Sequence, residues 1–181
     1  MKDFLKNIKF LLGKKEISKS TLLPFDKIIL DFLKEFSAEL NKHSEGKKYP
    51  DLKALAFWCR EKNLIRNYDS DNSDIRLSLG MIFHITPSNI PTNFAYSMIF
   101  GLINGNSNII KVPSKNFIQI DIICAILKKV LKKKKYKKIK EMITIIKYSN
   151  NDEFTKQVSK ICDARVIWGG DKTISEVRKF P

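Results

Sequence analysis

The sequence predicts an α/β fold in which a parallel, doubly wound sheet follows a helical N-terminal segment. Two observations support this prediction. Short apolar runs at 80–85 and 109–112 flank a helical pattern at 91–103, with polar turns between them, and this order is typical of a βαβ unit. Strand and helix patterns then keep alternating over 116–181, which favours a parallel sheet covered by helices on both faces.

Helical patterns also precede the βαβ unit. Residues 1–20 have the spacing of a short basic amphipathic helix, which either packs against the rest of the protein or lies on a membrane surface. Apolar residues recur at helical spacing over 25–40, and Asp51 has the position of an N-cap for a helix that runs to about residue 62. A turn-rich connector over 66–74 predicts a boundary before the α/β part.

The second half of the chain supplies the rest of the predicted sheet. Its patterns follow the order helix, strand, helix, strand, helix, at 116–131, 142–148, 152–162, 165–168 and from Gly169-Gly170-Asp171 onward. Two glycines at a strand-to-helix turn allow a phosphate to approach the backbone, and a helix N-terminus attracts anions. Asp171 departs from this pattern because a carboxylate there repels phosphate, and the chain contains no G-x-G-x-x-G motif.

Composition narrows the class of protein. A chain of 181 residues with 43% hydrophobic residues can bury one sizeable core. A formal net charge of +15 predicts a partner that is acidic, such as nucleic acid, an anionic membrane or a polyanionic cofactor; an AT-rich genome, which favours Lys, Ile and Asn, is the alternative explanation. Three dispersed cysteines indicate neither a disulfide framework nor a metal site, and without a signal peptide or membrane span we expect a cytoplasmic protein.

A lysine block, Lys128 to Lys140, is the feature most typical of nucleic-acid binding. Tyr136 lies inside it, and basic stretches with an interleaved aromatic residue can bind phosphates and stack a base. The block also follows a helix C-terminus, where the helix dipole favours cations. We therefore interpret it as a solvated helix end and keep nucleic-acid binding as the alternative.

Four motifs in a fixed order carry a resemblance to a known family. They are Thr86-Pro87-Ser88-Asn89-Ile90-Pro91, Gly105-Asn106, Lys111-Val112-Pro113-Ser114 and Trp168-Gly169-Gly170-Asp171-Lys172-Thr173-Ile174. Together they resemble the aldehyde dehydrogenase superfamily and, within it, the acyl-CoA reductase (LuxC-type) family. The resemblance implies a Rossmann-like sheet of the aldehyde dehydrogenase type and the reduction of a fatty acyl thioester to an aldehyde with NADPH.

The resemblance also implies how the chain is organised. Residues 1–73 correspond to a helical segment and residues 74–181 to part of an NAD(P)-binding domain. The catalytic cysteine of the superfamily lies in a second domain, so we expect this chain to lack it and to be inactive alone. The alternative is a non-catalytic remnant that keeps nucleotide binding. The family's substrate implies acyl-CoA or an acyl-protein, with an acyl-transferring partner protein and an oligomeric full-length enzyme.

Asn89 is the predicted catalytic residue. It follows a strand end, and the matching asparagine of the superfamily donates a hydrogen bond to the substrate carbonyl oxygen, so the resemblance implies an oxyanion-hole role. Its position before Ile90-Pro91 also permits the alternative that it caps the following helix. His84 and His43 have no Ser or Cys partner at a telling spacing, and we interpret them as ordinary core and surface histidines.

The predicted cofactor-binding residues come from four turns of the sequence. They are Ile85, Thr86, Pro87, Ser88, Lys111, Ser114, Lys115, Trp168, Gly169 and Gly170. The resemblance implies that Lys111 binds the adenosine ribose. Ser114 stands where NAD-preferring relatives carry Glu, whose carboxylate would repel a 2′-phosphate, and this favours NADPH. The alternative is that Lys111 is a solvated strand-end lysine and Ser114 a helix cap.

Overall fold

The structure, a computed structural model, describes residues 8–14, 18–65, 76–149 and 152–181. Two sequence predictions fall wholly or partly on the remaining residues. Residues 1–7 and 15–17 of the predicted N-terminal helix lie outside the described part, and so does the whole 66–74 connector with the domain boundary that it predicts. That boundary stays a prediction.

Strands and helices alternate through most of the described chain. The strands are β1 (Lys9–Leu12), β2 (Met81–Ile85), β3 (Ser107–Val112), β4 (Ile143–Lys147) and β5 (Ala164–Ile167). The helices are α1 (Lys27–Lys42), α2 (Pro50–Trp58), α3 (Glu61–Ile65), α4 (Asn93–Ile103), α5 (Ile118–Val130), α6 (Lys137–Glu141), α7 (Asp152–Ile161) and α8 (Asp171–Arg178). Short 3₁₀ turns lie at 44–47 and 134–136.

The described strands form one mostly parallel sheet in the order β1-β4-β3-β2-β5. Strands β2 to β5 are parallel, and β1 joins the outer edge of β4 antiparallel. The chain therefore moves outward from β2 to β3 and β4, and then returns to place β5 on the other side of β2. The predicted α/β fold with a parallel sheet is confirmed at this level.

Helices cover both faces of the sheet. On one face, which we call the α4 face, helices α1, α2, α4 and α5 pack on strand residues such as Ile110, Val112 and Ile145. On the opposite α7 face, Phe154 of α7 and Val177 of α8 pack on β2 and its neighbours. The N-terminal helices thus share one apolar core with α4 and α5, because their buried stripe has no other surface to cover.

The predicted helix over 1–20 is wrong in its described part, where Lys9–Leu12 forms β1. Lys9 lies opposite Lys147 and Phe10 opposite Ile146, so β1 completes the hydrogen bonding at the edge of β4. A register shift between Phe10 and Leu12 lets Leu11 and Leu12 pack on the α4 face while Phe10 packs on the α7 face. These residues form a strand despite their helical spacing, because pairing with the edge of β4 adds backbone hydrogen bonds and a short isolated helix is only marginally stable.

The predicted single helix from Asp51 to about residue 62 is two helices, and Asp51 is not its N-cap. Helix α2 begins at Pro50 with Tyr49 as N-cap, and the Asp51 carboxylate accepts a bond from its neighbour Leu52 N at 3.1 Å. Proline suits a first helical turn because it has no N–H to leave unpaired. The chain turns after Trp58 and helix α3 follows.

Candidate functional site

The carboxyl ends of the parallel strands bring together turns that are far apart in the sequence. Ile85 of β2 lies opposite Lys111 of β3 and Ile167 of β5. The backbone N–H and the hydroxyl of Thr86 both donate to Lys111 O, at 3.3 and 2.7 Å, and Trp168 N donates to Ile85 O at 2.8 Å. Three of the predicted cofactor-binding turns therefore meet at one edge of the sheet, which we call the carboxyl edge. This is where open α/β sheets bind ligands.

The turn after β2 presents polar side chains to solvent at this edge. Thr86 is buried, whereas Ser88 and Asn89 are exposed. Helix α4 begins at Asn93, and its N-cap is Thr92. The alternative that Asn89 caps this helix is therefore wrong, since the helix starts four residues later. The Asn89 carboxamide stands beyond the end of β2, four residues past Ile85.

Lys111 carries a half-buried ammonium at the same edge. Its Nζ lies 5.0 Å from the ring centre of Tyr148, whose hydroxyl hydrogen-bonds Thr155 Oγ1 at 2.8 Å. Burial lowers the pKa of Lys111. Within the described part of the chain, no carboxylate lies within ion-pair distance of this Nζ. The side chain thus differs from a solvated strand-end lysine, because it is partly desolvated and its three N–H donors have no anion.

The loop after β3 is fixed by a lysine of the next strand. Lys147 Nζ donates to Lys115 O at 3.2 Å and to Asn116 Oδ1 at 2.5 Å. Ser114 and Lys115 are exposed on this loop, and Lys115 Nζ lies 5.5 Å from the ring centre of Phe117. Phe117, not Ser114, is the N-cap of α5, so the alternative that Ser114 caps this helix is wrong.

The glycine turn after β5 leads into α8. Gly170 is the N-cap of α8 and Asp171 its first residue, and no side chain bonds the free N–H groups of the first turn through the cap. A Cβ built on Gly170 would meet nothing within 4 Å. The N-terminus of α8 therefore faces open space. Asp171, in its first turn, lies where the helix dipole favours a negative charge.

A buried hydrogen-bonded chain lies on the α4 face below this turn, and the sequence interpretation of His84 missed it. His84 Nδ1 lies 2.7 Å from Ser97 Oγ, and His84 Nε2 lies 2.9 Å from Asn108 Oδ1. Trp168 Nε1 donates to Ser97 Oγ at 2.9 Å, and Asn108 Nδ2 donates to Asn106 O at 2.6 Å. The prediction that His84 is a core histidine is confirmed, and its serine partner is one that sequence spacing did not indicate.

The hydrogen bonds along this chain fix the protonation of the histidine. Because the Asn108 amide nitrogen donates elsewhere, its oxygen accepts from His84 Nε2–H, and Nδ1 then accepts from the Ser97 hydroxyl. Burial lowers the pKa of His84 to about 4, so the ring is neutral near pH 7. The sequence does indicate that Ser97 lies on the buried side of α4, between Phe94 and Gly101. It does not indicate the contact with His84, because a strand residue and a helix residue that meet in the fold have no characteristic sequence separation.

The lysine block lies beside α1, and its lysine side chains are exposed, as predicted for a solvated helix end, although three of them pair with glutamates of α1. Lys133 and Lys135 pair with Glu35 at 2.5 Å each, and Lys129 pairs with Glu39. The Glu35 carboxylate, hydrogen-bonded by both lysines, has a pKa of about 2. Tyr136 is 0% exposed and meets the Phe32 ring edge-on at 5.4 Å. The tyrosine therefore cannot stack a base, and part of the positive charge is neutralised within the protein.

A comparison with known families bears directly on this arrangement. A family model described as acyl-CoA reductase (LuxC) matches residues 60–180. The chain belongs to this family. The match spans β2 to β5 and therefore the whole carboxyl edge. The resemblance predicted from the motifs is confirmed, and no curated protein matched the chain.

Membership of the LuxC family sets the functional class. The family's description makes it an oxidoreductase family that acts on acyl thioesters, and its reductases generally depend on a nicotinamide cofactor. No helix in the described residues is long and apolar enough to cross a membrane.

The cysteines of the chain are poor nucleophiles where they stand. Cys59 and Cys124 are buried, and burial raises the pKa of both thiols, that of Cys124 to about 12. Burial also raises the pKa of Cys162, which precedes β5 and therefore lies at the edge of the sheet opposite to Asn89. Thioester reduction through a covalent intermediate requires a thiolate beside the oxyanion donor. Burial disfavours the thiolate form of all three cysteines.

Proposed function

We propose that the carboxyl edge is the NADPH site of a fatty acyl thioester reductase. The observation that carries the proposal is the Lys111 ammonium, which is half-buried at the meeting point of β2, β3 and β5 and has no carboxylate partner in the described residues. A desolvated cation without an anion is unfavourable in the empty protein, and an incoming polar or anionic group removes this penalty. Lys111 would donate to the adenosine ribose of the cofactor.

The loop after β3 supports NADPH over NADH. Ser114 is neutral and exposed, and Lys115 follows it with its ammonium free to approach a phosphate. Lys147 holds the loop backbone in place through Lys115 O, so ligand binding does not have to order it. A 2′-phosphate beside these residues would meet a hydroxyl donor and a positive charge, and the Glu of NAD-preferring relatives is replaced here by the neutral Ser114.

Asn89 is proposed to stabilise the oxyanion of the thiohemiacetal. Its carboxamide is exposed at the end of β2 and is not engaged as a helix cap. The short turn after the buried strand β2 places the Asn89 backbone at the carboxyl edge, where its carboxamide could donate to a developing oxyanion. The nicotinamide cofactor, when bound, supplies the hydride, and Gly169 and Gly170 would give its pyrophosphate close access to the N-terminus of α8.

The domain organisation is part of the same proposal. Residues 74–181 would form part of an NAD(P)-binding domain of the aldehyde dehydrogenase type, and the reversal of strand order between β2 and β5 supports it. The nucleophilic cysteine would belong to a second domain outside this chain, so the chain alone would not reduce a thioester. We also propose a cytoplasmic, oligomeric full-length enzyme supplied with acyl groups as acyl-CoA or by an acyl-transferring protein.

The test is a binding experiment on the 181-residue protein with NADPH and NADH, followed by calorimetry. We expect saturable NADPH binding that Lys111→Met weakens at least about tenfold, since a hydrogen bond to a charged group is lost. Lys134→Met is the matched control, because Lys134 is an exposed lysine of the lysine block, and it should leave the affinity unchanged.

Two further results decide the cofactor and the specificity. Ser114→Glu should weaken NADPH more than NADH, because the new carboxylate faces the 2′-phosphate of NADPH alone. Equal losses in Lys111→Met and Lys134→Met would mean that NADPH is held only by the general positive charge, and the proposed site would then be rejected. Saturable binding in a protein whose full-length form shows no thioester reduction would support the non-catalytic alternative.

A further inference from the structure

An open cleft of about 370 Å³ lies on the α4 face of the sheet, between β2, β5, α4 and the segment that precedes β2. Its volume falls in the range of small-molecule sites. Apolar side chains form most of its wall: Leu77, Leu79, Ile82, Phe100, Val166 and Trp168. Two of these leucines, Leu77 and Leu79, are 71% and 68% exposed, which is unusual for large apolar side chains that lie next to each other.

Among the residues that the structure describes, none of those lining the cleft is charged, although the chain as a whole carries a net charge of +15. The polar residues of its wall are neutral: His84, Ser97, Asn104 and Asn106. His84 is uncharged near pH 7 because burial lowers its pKa to about 4. An ionic ligand would find no counter-charge here, so the chemistry of the wall selects an uncharged, apolar one.

The polar floor of the cleft has already made its hydrogen bonds within the protein. Ser97 donates to His84 and accepts from Trp168, and the Asn106 carboxamide oxygen accepts from Leu79 N and Gly80 N at 2.7 and 3.1 Å. Hydrocarbon can therefore cover this floor without leaving a buried donor or acceptor unpaired, which is the usual penalty for such contacts.

The lining of the cleft extends toward the proposed catalytic edge. It includes Leu79 before β2, His84 near the end of β2 and Trp168 after β5, and Leu79 and His84 are ~17 Å apart along the strand at about 3.3 Å per residue. Trp168 is hydrogen-bonded to Ile85 O, four residues before Asn89. Lys111 packs on the opposite face, against Tyr148, so the cleft reaches the carboxyl edge from the side away from the cofactor lysine.

We propose that this cleft binds the unbranched hydrocarbon chain of the acyl substrate and of the aldehyde product, with the reacting carbon at the Trp168 end. The inference rests on the proposed function, because it takes Asn89 as the oxyanion donor. At ~30 Å³ per methylene-sized group, the volume one water occupies in the liquid, the cleft holds roughly twelve such groups.

The experiment uses the 181-residue protein and a series of straight-chain alcohols from hexan-1-ol to tetradecan-1-ol, followed by calorimetry and, in a Trp58→Phe background that leaves Trp168 as the one tryptophan, by fluorescence. We expect the affinity to rise about fourfold for each added methylene while the cleft fills. It should level off near twelve carbons, and binding should show a negative heat-capacity change.

Two matched variants locate the binding. Leu79→Asp and Leu77→Asp place a carboxylate at the rim on exposed side chains and should weaken decan-1-ol at least tenfold. Leu23→Asp makes the same change at a leucine that is 62% exposed and does not line the cleft, and it should bind decan-1-ol as the unmodified protein does. Circular dichroism checks that each variant is folded.

NADPH titrations on the same variants separate this inference from the proposed function. If the rim variants lose decan-1-ol and keep NADPH, both proposals stand. If NADPH fails to bind while the alcohol series behaves as expected, the cleft stands and the cofactor site falls. If NADPH binds but decan-1-ol does not, or Leu79→Asp and Leu23→Asp lose it equally, the cleft proposal is overturned. Self-association abolished by Leu79→Asp, without alcohol binding, would make this face a protein interface and also overturn it.

Discussion

Near the carboxyl edge, the buried polar groups on the two faces of the sheet differ in whether they have hydrogen-bond or ion-pair partners. On the α4 face, His84 is fully buried and both ring nitrogens are bonded, to Ser97 and to Asn108. On the α7 face, Lys111 is only half-buried, and its ammonium meets an aromatic ring and no carboxylate of the described residues. The His84 network on one face is neutral and its hydrogen bonds are complete, whereas Lys111 on the other face is charged and has no anionic partner among the described residues.

This difference distinguishes structural from ligand-binding polarity. A buried polar group whose bonds are complete stabilises one packing of the protein and gains nothing from a ligand. A desolvated cation without an anion gains from one. If burial were the only criterion, His84 would rank above Lys111 as a candidate functional residue. The order is reversed when hydrogen-bond partners are considered, because His84 already has its partners and Lys111 lacks an anionic one among the described residues. Substitutions in the His84 network and at Lys111 test the two parts of this comparison separately.

Gly101→Ala should have the largest effect, because it breaks the satisfied network. A Cβ there would lie 1.8 Å from Asn108 Oδ1 and 3.1 Å from His84 Nε2, so the bond between these two side chains cannot persist. We expect a loss of about 3 kcal/mol in the free energy of unfolding, measured by urea denaturation. Gly170→Ala is the control: its Cβ meets nothing within 4 Å, and we expect it to cost only about 0.5–1 kcal/mol, because alanine is a poorer N-cap of α8 than glycine.

Acid should weaken the same network over a defined range. His84 has a folded pKa of about 4 against 6.5 when unfolded, so between these values the unfolded chain binds the extra proton. Stability is therefore complete above pH 6.5 and declines as the pH falls toward 4, by up to about 3 kcal/mol. Thermal melts of the protein and of His84→Gln should converge in this range.

Glu35 also contributes to the loss of stability in acid, but at a lower pH than His84, so the two effects can be measured separately. Its pKa of about 2 is below the ordinary value of 4.5, so the stability it adds is lost only as the pH falls from 4.5 toward 2. A decline between pH 6.5 and 5 that persists in His84→Gln would show that another group is responsible.

Trp168→Phe should have a smaller effect, because it removes one donor at the end of the network. The indole N–H to Ser97 Oγ bond is lost, and we expect about 1 kcal/mol of destabilisation. A double-mutant cycle with Ser97→Ala measures this bond alone, and a coupling energy near zero would contradict the geometry.

Lys111→Met should have the smallest effect on stability, within about 0.5 kcal/mol of the unmodified protein, because the lost charge has no partner and the methionine fits the stem's packing. A large destabilisation would mean that Lys111 is structural, and it would remove the contrast with His84. Urea denaturation without cofactor is the measurement.

Some of the residues at the carboxyl edge could be predicted from the sequence and others could not. The Thr86–Asn89 turn, Lys111 and the glycine turn were predicted at strand ends, and the sheet brings these strand ends to one edge because parallel strands finish together. The His84–Ser97 pair was missed because a strand residue and a helix residue meet only through packing. The strand at Lys9–Leu12 was missed because the free edge of β4 is invisible in a local pattern.

The sequence by itself determined the order of strands and helices from Gly80 onward, the family and the residues offered at each strand end. Those properties follow from local periodicity, turn chemistry and motif order, which need no knowledge of distant contacts. Only the tertiary structure decided which polar groups are satisfied, that Tyr136 is buried and that apolar side chains of α4, β2 and β5 line a common cleft. These depend on which faces are pressed together, and burial and hydrogen-bond partnership are properties of the packed chain.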